Sequence, residues 1–94
     1  MSKTTPEKLE KKLKETLGEA VPTNAVYDIH VALDLAELLK AKGFSFQLKD
    51  LCPKSPSETL WRAIFSKDDE KFSADDPQSS MAVCMAAIHA LTSQ

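Results

Sequence analysis

The stretch Met81–Leu91 restricts the fold of this 94-residue chain more than any other feature, because His89 is its only polar residue. A helix that is apolar nearly all round must be buried on more than one side. Its larger residues recur with helical spacing, at Met81, Cys84, Met85, Ile88 and Leu91. Its other apolar residues are small, namely Ala82, Val83, Ala86, Ala87 and Ala90. We expect the large side to pack on strands and the small side to pack on a helix, either residues 5–18 or a second molecule.

Length and composition indicate one globular domain that can bury a core without metal or disulfides. No apolar run is long enough for a signal peptide or for the roughly 20 residues of a membrane span. We therefore expect a cytoplasmic protein without membrane contact. In a reducing compartment, Cys52 and Cys84 are expected to be free thiols. Neither belongs to a CxxC motif, which argues against a catalytic or redox role.

Charge is unevenly distributed along the chain. The formal net charge is −2, yet residues 1–18 carry five lysines against three glutamates. The rest of the chain is therefore acidic. Because an acidic body repels the phosphate backbone, we predict that the protein does not bind nucleic acid.

Residues 5–18 have the pattern of a short amphipathic helix. Helix-start signals stand at Thr5–Pro6, and Gly18 is a typical helix stop. Every fourth residue is a leucine, at Leu9, Leu13 and Leu17. Such a thin stripe leaves the helix marginal by itself. We predict that residues 1–23 form a helical arm and linker, and that residues 24–94 form a single α+β domain.

The residues that follow the linker predict one helix and three strands. Residues 24–42 are expected to form a helix that is capped by Asn24 and stopped by Gly43. Apolar residues then alternate with polar ones, as in strands with one buried side. The residues predicted to be buried are Phe44, Phe46 and Leu48 in the first strand, Trp61, Ala63 and Phe65 in the second, and Phe72 and Ala74 in the third.

A final helix is predicted over residues 77–92, with the pair Asp75-Asp76 as its cap and Pro77 in its first turn. The short turns between strands favour an antiparallel meander. The predicted fold is therefore α+β, a three-stranded antiparallel sheet packed by two helices in the order α-β-β-β-α, with an additional N-terminal helix. We expect the two helices to sandwich the sheet.

Residues that usually carry chemistry are not grouped in this sequence. His30 and His89 are far apart and have no cysteine or acid at metal-ligand spacing. The acidic residues 68–70 lack the glycine of a calcium loop, and the serines lie in no nucleophile motif. Trp61 is interpreted as a packing residue and Arg62 as part of a solvated strand face. We predict no catalytic residues, no cofactor and no metal site.

The leucine stripe of residues 5–18 and the small-residue side of the final helix each predict a packing partner. That partner would be another protein or a second copy in a homodimer. The candidate interface residues are Leu9, Leu13, Leu17, Ala82, Ala86 and His89.

The element order, together with the alanine-rich sequence AAIHAL, resembles a double-stranded-RNA-binding domain. In that family, lysines at the start of the last helix contact phosphates. The matching residues here are Asp75-Asp76-Pro77-Gln78-Ser79-Ser80, and their negative charges would repel phosphate. The resemblance implies a shared topology without the RNA-binding chemistry.

Two segments carry a further resemblance, DIHVALDLAELLKAKGF at residues 28–44 and WRAIF with FSADDPQSSMAVCMAAIHAL within residues 61–91. Through them, residues 24–92 are similar to the phage ABA-sandwich domain, a family of short phage and prophage proteins without an established function. The chain departs from that family at Ser79, where a proline is usual, and at Met85, where a basic residue is usual. The resemblance concerns the fold and says nothing about an activity.

The resemblance and the missing catalytic constellation predict a non-enzymatic accessory protein of phage or prophage origin that acts through protein contacts. Two alternatives stay open. One is a nucleic-acid-binding module with the topology of a double-stranded-RNA-binding domain. The other is an inhibitor of a host or anti-phage enzyme.

Overall fold

The computed structural model describes residues 6–18, 25–51 and 59–92. The elements in these segments are α1 (Pro6–Leu17), α2 (Ile29–Ala41), β1 (Ser45–Asp50), β2 (Trp61–Lys67), β3 (Glu70–Asp76) and α3 (Ser79–Thr92). The strands form one sheet in the order β1-β2-β3, with both neighbouring pairs antiparallel. The predicted α+β class is confirmed, including the three-stranded antiparallel sheet and the N-terminal helix.

Helix α3 lies between the sheet and the other two helices. It packs on β2 and β3, and also on α1 and α2. Its buried residues are Ser80, Met81, Ala82, Val83, Cys84, Ala86, Ala87, Ile88 and Ala90. The double burial expected for the apolar stretch is confirmed, because α3 contacts strands as well as helices of its own chain.

Helix α1 packs on α3 through its leucine stripe. Leu9 and Leu13 are buried, and the half-buried Leu17 packs against the same core. Burying a leucine side chain is worth roughly 1.5–3 kcal/mol, which offsets the weak intrinsic stability of a short helix. Gly18 follows the helix with a φ of 65°, a left-handed conformation that suits a glycine at a helix end. The core of the molecule therefore includes α1.

The described helices cover only one face of the sheet. On that inner face Ala63 and Phe65 are fully buried. They are flanked by half-buried residues, namely Phe46, Leu48, Trp61, Phe72 and Ala74. We call the opposite side the outer face, and it consists of Ser45, Gln47, Lys49, Arg62, Ile64, Ser66, Lys71, Ser73 and Asp75.

The expectation that two helices sandwich the sheet is wrong. Helix α3 covers β2 and β3, whereas α2 packs mainly on α3 and touches the sheet only slightly, at β1. The physical reason is the composition of α3, whose apolar residues surround the helix axis and need cover on two sides. With the sheet on one side of α3, the remaining helices bury the other side instead of the outer face.

Helix α2 begins later than predicted. Residues 25–27 form a turn, and the N-cap is Asp28, whose carboxylate accepts a backbone N–H of the first helical turn at 2.9 Å. Asn24, the predicted cap, lies outside the described residues. The Ser80 hydroxyl donates a hydrogen bond to the Val26 carbonyl at 3.0 Å. This buried contact fixes the turn against α3, so the helix starts after it.

Strand β3 is longer than predicted, and α3 starts later. Asp75 and Asp76, which the sequence assigns to a helix cap, are the last two residues of β3. The helix begins at Ser79 and not at Pro77. The ladder continues to the charged residues because Arg62 pairs with Asp75 in the register of β2 and β3. The Asp76 carboxylate instead closes a local turn by accepting the N–H two residues later, at 2.9 Å.

A two-residue turn joins β2 to β3. Asp68 and Asp69 have φ values of 53° and 69°, and the flanking residues Lys67 and Glu70 are paired across the strands. Two positive φ angles at this position are typical of a type I′ hairpin turn, which aspartate tolerates better than most residues. The turn fixes the register of the whole hairpin.

Candidate interaction surfaces

The six predicted interface residues do not form one exposed surface. Those that are buried are Leu9, Leu13, Ala82 and Ala86. Leu17 is half-buried against the core, and His89 is exposed on α3. Because α1 covers part of α3 within one chain, a second copy would have to displace α1 to reach the buried residues. Self-association through these six residues stays a prediction.

Of the two cysteine thiols, the structure describes only that of Cys84. Cys84 is fully buried in α3, and burial, with a smaller contribution from the negative charge of Glu10, raises the pKa of this thiol to about 12. At neutral pH the group is therefore protonated and is a poor nucleophile. Cys52 lies outside the described residues.

The imidazoles and acids do not assemble into a metal centre in the part of the chain that the structure describes. His30 lies exposed on α2 and His89 exposed on α3. Within residues 6–18, 25–51 and 59–92, no group of three or more His, Cys, Asp or Glu residues could hold a metal ion. Ser80 is the buried serine of α3, and its hydroxyl is bound to the Val26 carbonyl. Ser55 and Ser57 lie outside the described residues.

The outer face carries an ion pair between Arg62 and Asp75 that is joined by two hydrogen bonds. Arg62 Nε donates to Asp75 Oδ1 at 2.8 Å, and Arg62 Nη2 donates to Asp75 Oδ2 at 2.9 Å. Two parallel hydrogen bonds between a guanidinium and a carboxylate fix both groups in one plane. The hydrogen bonds from Arg62 lower the pKa of Asp75, against partial desolvation, and the positive charge of Arg62 lowers it further.

We predict that Arg62→Gln raises the pKa of Asp75 toward its ordinary value. The lowered pKa in the folded state means that this pair stabilises the fold above the unfolded pKa of about 4. That contribution is lost as the pH falls through the folded pKa. A carbon-13 NMR titration of the Asp75 carboxyl measures the change. The control Arg62→Lys keeps the charge but loses the planar fork, so it should restore only part of the shift, and an unchanged pKa in Arg62→Gln would contradict the assignment.

The centre of the outer face is Ile64, which lies between Gln47 on β1 and Ser73 on β3. It is half-buried, although it faces away from the helices. Around it the face carries three basic residues, Lys49, Arg62 and Lys71, and one acid, Asp75. The outer face is therefore a net positive surface on a chain whose net charge is −2.

Two large apolar side chains in the described segments are exposed, and both lie away from the outer face. Tyr27, in the turn before α2, is 55% exposed, and Leu33 on α2 is 38% exposed. Partial desolvation raises the pKa of Tyr27, and the negative charges of Glu7 and Glu10 raise it further. Single exposed apolar residues of this kind are common on protein surfaces. They define no extended apolar patch.

Lys67 joins the end of β2 to the turn after α2. Its Nζ donates to the Lys42 carbonyl at 3.1 Å and lies 5.2 Å from the centre of the Phe44 ring. Gly43 has a φ of 100° beside it. A Cβ at this glycine would lie 3.5 Å from Lys67 Cε, so the left-handed backbone, more than a lack of space, requires glycine here. These contacts are structural.

Sequence reasoning misses the Arg62–Asp75 pair because it assigns Asp75 to a helix cap. Trp61 packs half-buried against the core, which confirms its interpretation as a packing residue.

No helix within the described segments is long and apolar enough to cross a membrane. Comparison with known proteins adds no relationship, since no family model, no curated protein and no solved structure matches this chain.

Proposed function

We propose that this chain is a non-enzymatic accessory protein of phage or prophage origin that binds another protein through the outer face of its sheet. The observation that supports this function is the outer face itself, which the described helices leave uncovered. The proposed origin depends on the resemblance of residues 28–44 and 61–91 to the phage ABA-sandwich domain.

The chemistry of the outer face favours a partner with an acidic surface. Ile64 supplies a half-buried apolar centre, and polar residues surround it, which is the usual anatomy of a protein interface. Asp75 engages Arg62, so Lys49 and Lys71 supply most of the positive potential. A sheet held by two antiparallel ladders is already ordered, and this reduces the entropy lost on binding. Charge complementarity would mainly raise the association rate.

The environments of the reactive groups favour binding over catalysis. Cys84 is buried with a raised pKa, and Asp75 is held by two hydrogen bonds from Arg62. His30 and His89 lie on different helices. An enzyme would need such groups to converge around one reacting atom. An inhibitor of a host or anti-phage enzyme would be a special case of the proposed function, with that enzyme as the acidic partner.

One observation favours the second candidate, a nucleic-acid-binding module. Helices α2 and α3 lie on the same side of the sheet in the order helix–strand–strand–strand–helix. The charges are less favourable, because the start of α3 at residues 78–80 carries no lysine. The Ser80 hydroxyl, moreover, is used inside the protein. Binding to duplex RNA is therefore the weaker proposal.

A site-specific photocrosslink tests the proposed function. A benzophenone amino acid at Ser73 on the outer face should capture a protein from a host lysate, whereas the same probe at Asp34, exposed on α2, should not. The double variant Lys49→Glu/Lys71→Glu should abolish that adduct, and the matched control Lys40→Glu on α2 should retain it. Adducts that form equally from the probe at Asp34, or that survive the charge reversal, would refute the outer face as the binding surface. A nuclease-sensitive adduct would instead support the nucleic-acid candidate.

A further inference from the structure

The hydrogen-bond phase of the sheet leaves backbone groups of β1 directed away from β2. The Leu51 N–H donates to the Leu60 carbonyl at 2.8 Å, which continues the register of β1 and β2. Hydrogen-bonded and non-hydrogen-bonded pairs alternate along an antiparallel ladder. Gln47 is therefore bonded to β2, whereas the N–H and C=O groups of Phe46 and Leu48 face the open edge. β1 is an edge strand of the described sheet.

The same strand is the least covered part of the inner face. Helix α3 packs on β2 and β3, whereas the contact of α2 with β1 is slight. Phe46 lies opposite Phe65 in the register. Phe65 is fully buried, but Phe46 and Leu48 are only half-buried. An edge strand with outward-directed backbone groups and incompletely buried apolar side chains readily pairs with another strand.

We propose that β1 pairs antiparallel with β1 of a second copy around a two-fold axis at Gln47. The two three-stranded sheets then become one continuous sheet. In this register Phe46 of one copy lies opposite Leu48 of the other, and the two exchange backbone hydrogen bonds. Both residues belong to the inner face, so the pairing also covers their half-exposed side chains. On the outer face Gln47 meets Gln47, and Ser45 meets Lys49, so no like charges are opposed.

Neighbouring registers of β1 fit less well. An axis between two residues would shift the pairing by one residue and set inner side chains against outer ones. Centring the axis on Leu48 would place Phe46 opposite Asp50. Centring it on Phe46 would require hydrogen bonds from Phe44, whose N–H already donates to the Leu39 carbonyl at 3.1 Å.

The other edge of the sheet is also less suitable. A two-fold axis at Ser73 of β3 would set Lys71 against Asp75, but it would also set Glu70 against Asp76, two acids directly opposite each other. The inner side of β3 is already packed by α3. Pairing of β1 with β3 of another copy would not close and would produce filaments. The second copy therefore fits the β1 edge.

Cysteine crosslinking tests this register in the purified chain, with Cys52→Ser in the background. Gln47 would form a non-hydrogen-bonded pair with its own copy, where Cβ atoms lie about 4.5–5.5 Å apart, close to disulfide geometry. Under mild oxidation Gln47→Cys should form a covalent dimer. The matched control Ser73→Cys, at the centre of the other edge strand and also exposed, should stay monomeric.

Sedimentation equilibrium supplies the second measurement. The unmodified chain should dimerise, and Gln47→Lys should weaken the dimer about fivefold, because two like charges then lie opposite each other. Circular dichroism should show an unchanged monomer fold, since Gln47 is exposed. A strict monomer at high concentration, or a Ser73→Cys crosslink as efficient as that of Gln47→Cys, would overturn the proposal. Neither measurement depends on a partner at the outer face, so this self-pairing and the proposed function can fail separately.

Discussion

Phe65→Ala is expected to lower the free energy of unfolding by about 3–5 kcal/mol. Phe65 is fully buried at the centre of the inner face. Its ring contacts Phe44 edge-to-face, with centroids 6.4 Å apart, and Phe46 at 5.0 Å. Its loss therefore removes aromatic contacts and opens a cavity between the sheet and α3. Since small domains are stable by only about 5–15 kcal/mol, little stability would remain. Urea denaturation followed by the fluorescence of Trp61, the single tryptophan, measures the loss.

Phe72→Ala is the matched control for that experiment. Phe72 lies opposite Phe65 on β3 and contacts the Phe44 ring at 6.3 Å, but it is only half-buried. A partly buried aromatic residue should cost roughly 1.5 kcal/mol when it is truncated. Equal losses for the two variants would contradict the position of Phe65 at the centre of the core.

Leu13→Ala should lower the free energy of unfolding by about 2–5 kcal/mol. Leu13 is fully buried and belongs to the same hydrophobic cluster as the residues of α3. If α1 is part of one cooperative unit, far-ultraviolet circular dichroism and Trp61 fluorescence should report the same transition midpoint. Both midpoints should move together in the variant.

Leu17→Ala is the control on the same helix, since Leu17 is only half-buried. It should cost about 1 kcal/mol, near the average for single substitutions. If α1 were instead an independent arm, two different results would be expected. The helical signal would be lost before the fluorescence transition, and Leu13→Ala would leave the fluorescence midpoint unchanged.

The existence and type of every described element follow from periodicity, but the arrangement of layers does not. Alternation in β1 and β2 identifies which side chains face inward. The all-round apolar character of α3 correctly predicts two packing partners. That character does not identify α2 as one of them, because the amphipathic pattern of α2 would be the same whether α2 packed on a sheet or on another helix. Only tertiary packing decides between these arrangements.

Element boundaries show the same limit at residues whose local signals are ambiguous. Asn24 and Asp28 are both good helix caps, and the hydrogen bond from Ser80 to Val26 places residues 25–27 in a turn before the helix. The partner of Ser80 is far away in sequence, so no local pattern reveals it. Likewise, Asp75 suits a cap, but the pairing of β3 with β2 extends the strand through it.

The Arg62–Asp75 pair could have been found from the sequence by one further step. If Asp68 and Asp69 form a two-residue turn, counting outward from them along both strands sets Arg62 opposite Asp75. The burial of the predicted interface residues could not be found in this way. It depends on α1 returning to α3 of the same chain, and the connection after Gly18 does not specify that direction.

The position of α3 has a consequence for synthesis on the ribosome. Helix α2 and the sheet barely contact each other except through α3, which follows every other described element in the chain. While residues 79–92 are still in the exit tunnel, Leu35, Leu39 and Phe65 have no common surface to bury against. The nascent chain should therefore stay accessible to chaperones until α3 has left the tunnel, and then collapse in one late step.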